Sequence, residues 1–319
     1  MRKYQIDNRL DITEYEIIRS NVSLTETLTI ALIADLHDRP YEKILASLKE
    51  RRPDLIAIAG DLIDGYTADG MENRSKNELT RMPKSMLADS AYALQFLKEC
   101  AAVSPTYYGL GNHEWLLSDR DFKLIHRTGV HLLDNAFAEF PSSRSNICKA
   151  SGNTAPVLLP DKKDRILIGG LTSSAVMRYR EYILENPKMA GYYPLFPPRP
   201  WWQKRRNTHP HLDYAWLDEF EQQDGFKILL CHHPEYWKRK DPVLSEMDFG
   251  LTMSGHAHGG QIRVLGHGLF APGQGLLPKY TGGSHNGRHG TLVVSRGLAN
   301  TAPFPRFGNR PELVYIRLS

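Results

Sequence analysis

Cysteine is scarce in this chain. Cys100, Cys148 and Cys231 are the only three in 319 residues. An odd, sparse set is no disulfide framework, so a reducing compartment is expected. Long apolar runs are missing too, and no stretch approaches the roughly 18 residues needed to span a bilayer. The N-terminal MRKYQIDNRLDITEYEIIRS has no apolar run behind its first basic residues, unlike a secretory signal. These absences predict a soluble, cytoplasmic protein. No repeat of fixed period is visible, which excludes solenoids and propellers. A charge excess is also lacking: 40 basic and 36 acidic residues leave a net +4, too little to imply nucleic-acid binding by itself.

What is present suits a globular core. Hydrophobic residues make up 41% and charged residues 24%, the balance of a folded rather than a disordered chain. The length fits one large α/β domain. Residues 15–22 and 28–34 are β-type. Residues 41–54 (YEKILASLKERRPD) carry Ile44, Leu45 and Leu48 at helical spacing, closed by Pro53. LIAIAGD at 55–61 is a further short strand, and a helix follows near residues 89–103. RILIGGLTSS, FKILLCHHP and FGLTMSGHAHGG repeat the theme of an apolar run that stops at polar residues. Alternation of strand and helix predicts an α/β fold with ligands bound at strand C-terminal ends. LVVSRGL and ELVYIRL, near the C-terminus, suit a second sheet.

Five of these strand ends carry metal-type ligands: Asp35 and His37, Asp61 and Asp64, Asn112 with His113 and Glu114, His232 and His233, and His256 and His258. Each cluster alone is weak. DLH can be a capping aspartate beside a surface histidine, GNHE a tight turn, and GHAH a glycine-rich loop. Together they can lie along one sheet edge. Carboxylate, imidazole and amide oxygen suit Zn, Mn or Fe better than an all-oxygen Mg site. No cysteine joins the clusters, which argues against a structural zinc site. Cys231 neighbours His232, but adjacent strand side chains face opposite ways, so Cys231 is expected in the core. In an extended GHAH segment both rings would face one side.

In order, DLH, GDLID, GNHE, HHP and GHAHGGQ resemble the motif series of the calcineurin-like metallophosphoesterases. VSRGLANTAPFPRFGNRPELVYIRL resembles the tail of a bacterial subgroup of predicted phosphohydrolases that includes UDP-diacylglucosamine pyrophosphatase-like enzymes. The resemblance implies a four-layer αββα sandwich with two mixed β-sheets. It implies two metal ions, divalent or trivalent: one on Asp35, His37, Asp61 and His258, the other on Asp61, Asn112, His232 and His256, with Asp61 bridging. A metal-bridging hydroxide would attack a phosphomonoester, phosphodiester or pyrophosphate bond, with Asp61 and His113 as catalytic residues and His113 assisting the leaving group. Asp35 is expected to orient His113 as well. Asp64 and Glu114 are expected to act through hydrogen bonds rather than as ligands, and His233 lies where the family varies. The implied partner is a phosphorylated substrate such as a nucleotide or a lipid-linked phosphate. Nucleic acid is not favoured, and peripheral membrane contact stays open.

The chain is read as one domain over 1–319, with insertions near 66–88 and 172–212 as candidate lids. Within the second, residues 178–206 hold seven Lys/Arg against two Glu, interleaved with Tyr179, Tyr182, Tyr192, Tyr193, Phe196, Trp201 and Trp202. They suit either an ordered loop packed on the domain or a cap for an anionic, partly apolar substrate. The alternatives to a phosphohydrolase of small substrates are a nuclease of the same chemistry and a non-catalytic scaffold. No expected ligand is missing, which weighs against the scaffold.

Overall fold

A computed structural model describes residues 9–18, 27–64, 84–140, 165–190, 211–239, 242–299 and 305–319. The strands that form its framework are β1 (Asp11–Ile17), β2 (Leu28–Ile33), β3 (Leu55–Ala59), β4 (Thr106–Gly109), β5 (His131–Leu133), β6 (Ala136–Glu139), β7 (Ile166–Leu171), β8 (Phe226–Cys231) and β9 (Leu251–Ser254). Two small hairpins follow, made of β10 (Arg263–Val264), β11 (His267–Gly268), β12 (Phe270–Ala271) and β13 (Gly275–Leu276). The chain closes with β14 (Gly283–Asn286), β15 (Thr291–Val294) and β16 (Glu312–Leu318). The helices are α1 (Glu42–Arg51), α2 (Ala93–Val103), α3 (Asp119–Arg127), α4 (Ser174–Glu185) and α5 (Tyr214–Glu221).

The twelve longer strands sort into two six-stranded sheets. The first runs β1-β16-β2-β3-β4-β5 and the second β14-β15-β9-β8-β7-β6. Both are mixed. β2 through β5 are parallel and β16 is antiparallel to β2; β7, β8, β9 and β15 are parallel, with β6 and β14 antiparallel at the edges. Continuous apolar runs such as LTIALI and FKILLC are explained by burial on both faces. Period-2 alternation then sorts the side chains. Ile30, Leu32, Leu55 and Ala57 meet Ile168, Ile228, Leu230 and Met253 between the sheets. Ala31, Ile33, Ile56 and Ile58 turn outward to Ile44, Leu48, Phe96 and Leu97 of α1 and α2. Leu229, Cys231 and Val294 of the second sheet meet Trp216, Leu217 and Phe220 of α5. The result is the four-layer αββα sandwich.

Two readings from the sequence need correction. ELVYIRL forms β16 inside the first sheet, parallel to β1 and antiparallel to β2, rather than in the second. The first strand begins at Asp11 rather than at 15 and spans Asp11–Ile17, while residues 19–22 of the expected strand lie outside the described residues. Cys231 is core, as its strand position requires, and burial pushes its thiol pKa up. Of the two candidate lids, most of 66–88 and residues 191–210 lie outside the described residues. The start of the second is ordered structure on the domain: α4 carries Arg180 into a two-pronged ion pair with Asp134 at 2.6 and 2.9 Å, and Tyr179 meets Trp115 edge-on. Among the described residues, no helix is long and apolar enough to cross a membrane.

Candidate metal centre

The five motifs lie at the C-terminal ends of β2, β3, β4, β8 and β9, so three come from one sheet and two from the other. They do not share one sheet edge. Two facing edges converge instead. The loops after β2 and β3 run side by side, with Asp35 N–H donating to the Gly60 carbonyl at 3.2 Å and His37 N–H to the Asp61 carbonyl at 3.1 Å. Across the sandwich, both Asp35 carboxylate oxygens accept the His256 N–H at 3.1 Å.

The backbone there is contorted. Asp35, His37, Asp61, His256 and His258 all have positive φ, between 46° and 64°. L-residues seldom adopt this region, and such strain gathers where structure holds a functional geometry. GHAH is therefore not extended: left-handed His256 and His258 flank a right-handed Ala257. The two rings converge through this alternation rather than through strand pleating. Gly60 has φ +87°, and a Cβ there would lie 2.6 Å from the Gly111 backbone and 2.7 Å from His232 Nδ1. We expect Gly60→Ala to cost about 3 kcal/mol, from left-handed strain plus overpacking. Urea denaturation measures this, and a loss under about 1 kcal/mol would mean that the loop can yield.

Among the described residues the potential ligand atoms form four trios, two of them made of the expected ligands. Ligand atoms of Asp35, His37 and His258 lie within 4.8 Å of one another, as do those of Asp61, His232 and His256. The Asp61 Oδ2 atom lies between them, 3.0 Å from His232 Nε2 and 3.9 Å from His37 Nε2. Asn112 immediately precedes His113, whose backbone N–H donates to Asp61 Oδ1 at 2.8 Å. His37 Nε2, Asp61 Oδ2, Asn112 Oδ1 and His232 Nε2 are all buried with no hydrogen-bond partner. Buried polar atoms are rarely left so. Of these, His37 Nε2 and His232 Nε2 lie 3.9 and 3.0 Å from Asp61 Oδ2, and the donor chemistry of the three, with the Asn112 oxygen from a fourth motif, fits a cation. His232 shows how the ring is prepared: Nδ1 bonds the Ala59 carbonyl at 2.7 Å. A carbonyl only accepts, so Nδ1 carries its hydrogen and Nε2 is the nitrogen turned inward for a metal.

Electrostatics point the same way. Burial would push the Asp61 carboxyl up, but the His232 and His113 imidazoles hold it well below the usual range. Burial, helped by His233 for one and His37 for the other, keeps His256 and His258 well below the ordinary imidazole value. An ionised carboxylate and neutral imidazoles are the states in which these groups ligate metal. His232 goes the other way. Burial opposes its charge, yet Asp61 raises it to about 10, so a cation there would displace a proton.

His113 is placed differently. Its Nδ1 donates to the Asp64 carbonyl at 2.6 Å, leaving Nε2 3.8 Å from Asp61 Oδ2. Burial disfavours its charge, but Asp61 and the Asp64 carbonyl outweigh that and raise its pKa. The orienting hydrogen bond thus comes from Asp64, whose carboxylate also lies 3.5 Å from His37 Nδ1. Glu114 is buried beneath the centre. It accepts the N–H groups of Asp61, Leu62 and Gly111 and the Tyr108 hydroxyl at 2.7–2.9 Å. Burial and the Asp61 charge push its own pKa up. His233 bonds Ser173 Oγ at 2.7 Å and lies 3.3 Å from Glu235, which also sits 4.0 Å from His256. Glu235 and Ser173 were not singled out from sequence. Glu235 follows HHP directly, so the acidic residue beside the histidines was the available signal.

Comparisons with known proteins identify the family. A family model described as calcineurin-like phosphoesterase matches residues 28–260. A transmembrane protein with metallophosphoesterase domain from Danio rerio is 22% identical over 91% of this chain. The uncharacterized metallophosphoesterase YkoQ from Bacillus subtilis is likewise 22% identical over 91%. The chain spans 53% of the length of the first and 83% of the second. Among solved structures, a dimetal phosphatase from Danio rerio aligns over 85% of this chain and 87% of its own, with a TM-score of 0.40 and 13% identity.

Proposed function

The chain belongs to the calcineurin-like phosphoesterase family, and on that premise we propose that it is a dinuclear metal-dependent phosphohydrolase. The observation that carries this is the set of four buried, unpartnered donor atoms on His37, Asp61, Asn112 and His232. Asp35, His37, Asp61 and His258 would hold one ion, and Asp61, Asn112, His232 and His256 the other. Bound there, two cations supply an activated water nucleophile and neutralise phosphate oxygens. The chain's own residues do the rest. Asp61 holds the two trios at one spacing, and its Oδ1 fixes the His113 backbone. His113, with Nδ1 tied to the Asp64 carbonyl, presents Nε2 as the proton donor to the leaving-group oxygen.

The resemblance of the tail supports a finer reading, a pyrophosphatase acting on a nucleotide-linked lipid precursor, with the segments near 66–88 and 172–212 as lids over one domain. Purified protein with added Mn²⁺ is expected to hydrolyse nitrophenyl phosphate or bis-nitrophenyl phosphate, and exhaustive chelation to abolish this. Activity that survives chelation would overturn the mechanism. A panel of monoesters, diesters, pyrophosphates and single-stranded oligonucleotides then chooses the bond, with steep salt dependence marking a nuclease.

A further inference from the structure

We propose that the paired hairpins beside the metal centre dock the protein on an anionic bilayer surface. The hairpins β10–β11 and β12–β13 grow directly from the loop that carries His258. Arg263 donates to the Gly259 carbonyl at 2.9 Å, and Leu269 N–H to the Gly260 carbonyl at 3.2 Å. Phe307 joins them through a bridge to Ile262, and Asn309 ties this arm to the His258 and Gln261 carbonyls.

Their tips are apolar and bare. Leu265 is 94% exposed, Leu276 80%, Leu277 77% and Phe307 70%, with Phe270 half-exposed beside them. Leu265 and Gly266, the two loop residues of the first hairpin, both have positive φ, the pattern of a type I′ turn. Asparagine suits that first position; leucine there is both strained and exposed to water. Leu277 is likewise left-handed.

Charge selects the occupant. From Phe249 to Pro311 there is no acidic residue, so all 36 of the chain lie outside this 63-residue stretch. The same stretch carries Arg263, Lys279, Arg288, Arg296, Arg306 and Arg310. Arg296 and Arg306 are engaged internally with Glu312 and backbone carbonyls, Arg310 lies 3.5 Å from Asp11 and Arg288 4.0 Å from Glu246, whereas Lys279 is exposed two residues beyond Leu277. The carboxylate that does reach the hairpins from elsewhere, Glu235 under Gly273, is turned into the centre. Apolar tips on separate turns, with exposed Lys279 beside them and no acidic residue in the stretch, match an anionic interface, where insertion into a soft medium needs no complementary shape.

This inference is independent of the reaction, because binding is read without turnover. Sedimentation with phosphatidylglycerol-containing vesicles is compared with phosphatidylcholine alone. Wild-type protein is expected to pellet with the anionic vesicles and to release at high salt. The Leu265→Ser/Leu277→Ser double variant is expected to bind about tenfold or more weakly, with an unchanged melting curve because both side chains are exposed. No pelleting of the wild type, or equal pelleting of the variant, overturns the proposal. So does a wild-type dimer in solution that the variant dissociates, which would make the tips an interface between copies.

Discussion

Replacing Asp61 with asparagine is expected to lower turnover of nitrophenyl phosphate by at least about a thousandfold and to strip metal from the purified protein. The argument is local. Oδ1 accepts the His113 N–H, and Oδ2 lies 3.0 Å from His232 Nε2, 3.8 Å from His113 Nε2 and 3.9 Å from His37 Nε2. Asparagine keeps the acceptor at Oδ1 but loses the charge that both trios share. The amide also presents hydrogens, or a neutral oxygen, to imidazole nitrogens prepared for a cation. Asp64→Asn is the contrasting case. Its carboxylate is a third exposed and paired with Arg39, and the bond it gives His113 is made by the backbone carbonyl, which survives the change. About a tenfold loss is expected there. Turnover assays and elemental analysis of both variants separate the outcomes. Asp61→Asn protein with full metal content and activity within tenfold of wild type would remove Asp61 from the centre.

Much of this site was legible because its chemistry lies in short motifs. Each of the five motifs follows an apolar run, and burial on both sheet faces forces those runs to be apolar whichever sheet they join. That same uniformity hides the pairing. ELVYIRL reads like any other buried strand, and its place between β1 and β2 depends on partners about 300 residues away in the chain. Conformation was equally hidden. His256 and His258 at i, i+2 suggested pleating, but left-handed backbone does the work, at φ of 64° and 46°, and nothing in the local sequence marks these two positions for it. Contacts across loops, such as Glu235 with His233 and His256 or Asp64 with His37 and His113, depend on distances that exist only once two sheets face one another.

Glu114 carries the largest expected effect on stability. Its carboxylate gathers four hydrogen bonds at 2.7–2.9 Å: the Asp61, Leu62 and Gly111 N–H groups and the Tyr108 hydroxyl. Every one of these is a donor, and the residue is buried. The loop after β3 that carries Asp61 is thereby pinned to the loop after β4 that carries Asn112, so the position of Asp61 depends on a residue that touches no ligand atom itself. Glutamine keeps the size but turns an NH₂ group toward donors, leaving at least one of them without an acceptor in a site closed to water. Removing one member of a buried charged network costs about 3–5 kcal/mol, so Glu114→Gln is expected to fall in that range. Tyr108→Phe leaves the three N–H bonds intact and is expected to cost about 1.5–3 kcal/mol, the worth of one hydrogen bond to a charged group. Urea melts of the two variants give the comparison. If Glu114→Gln were no more costly than Tyr108→Phe, the carboxylate would not be what holds the two loops together.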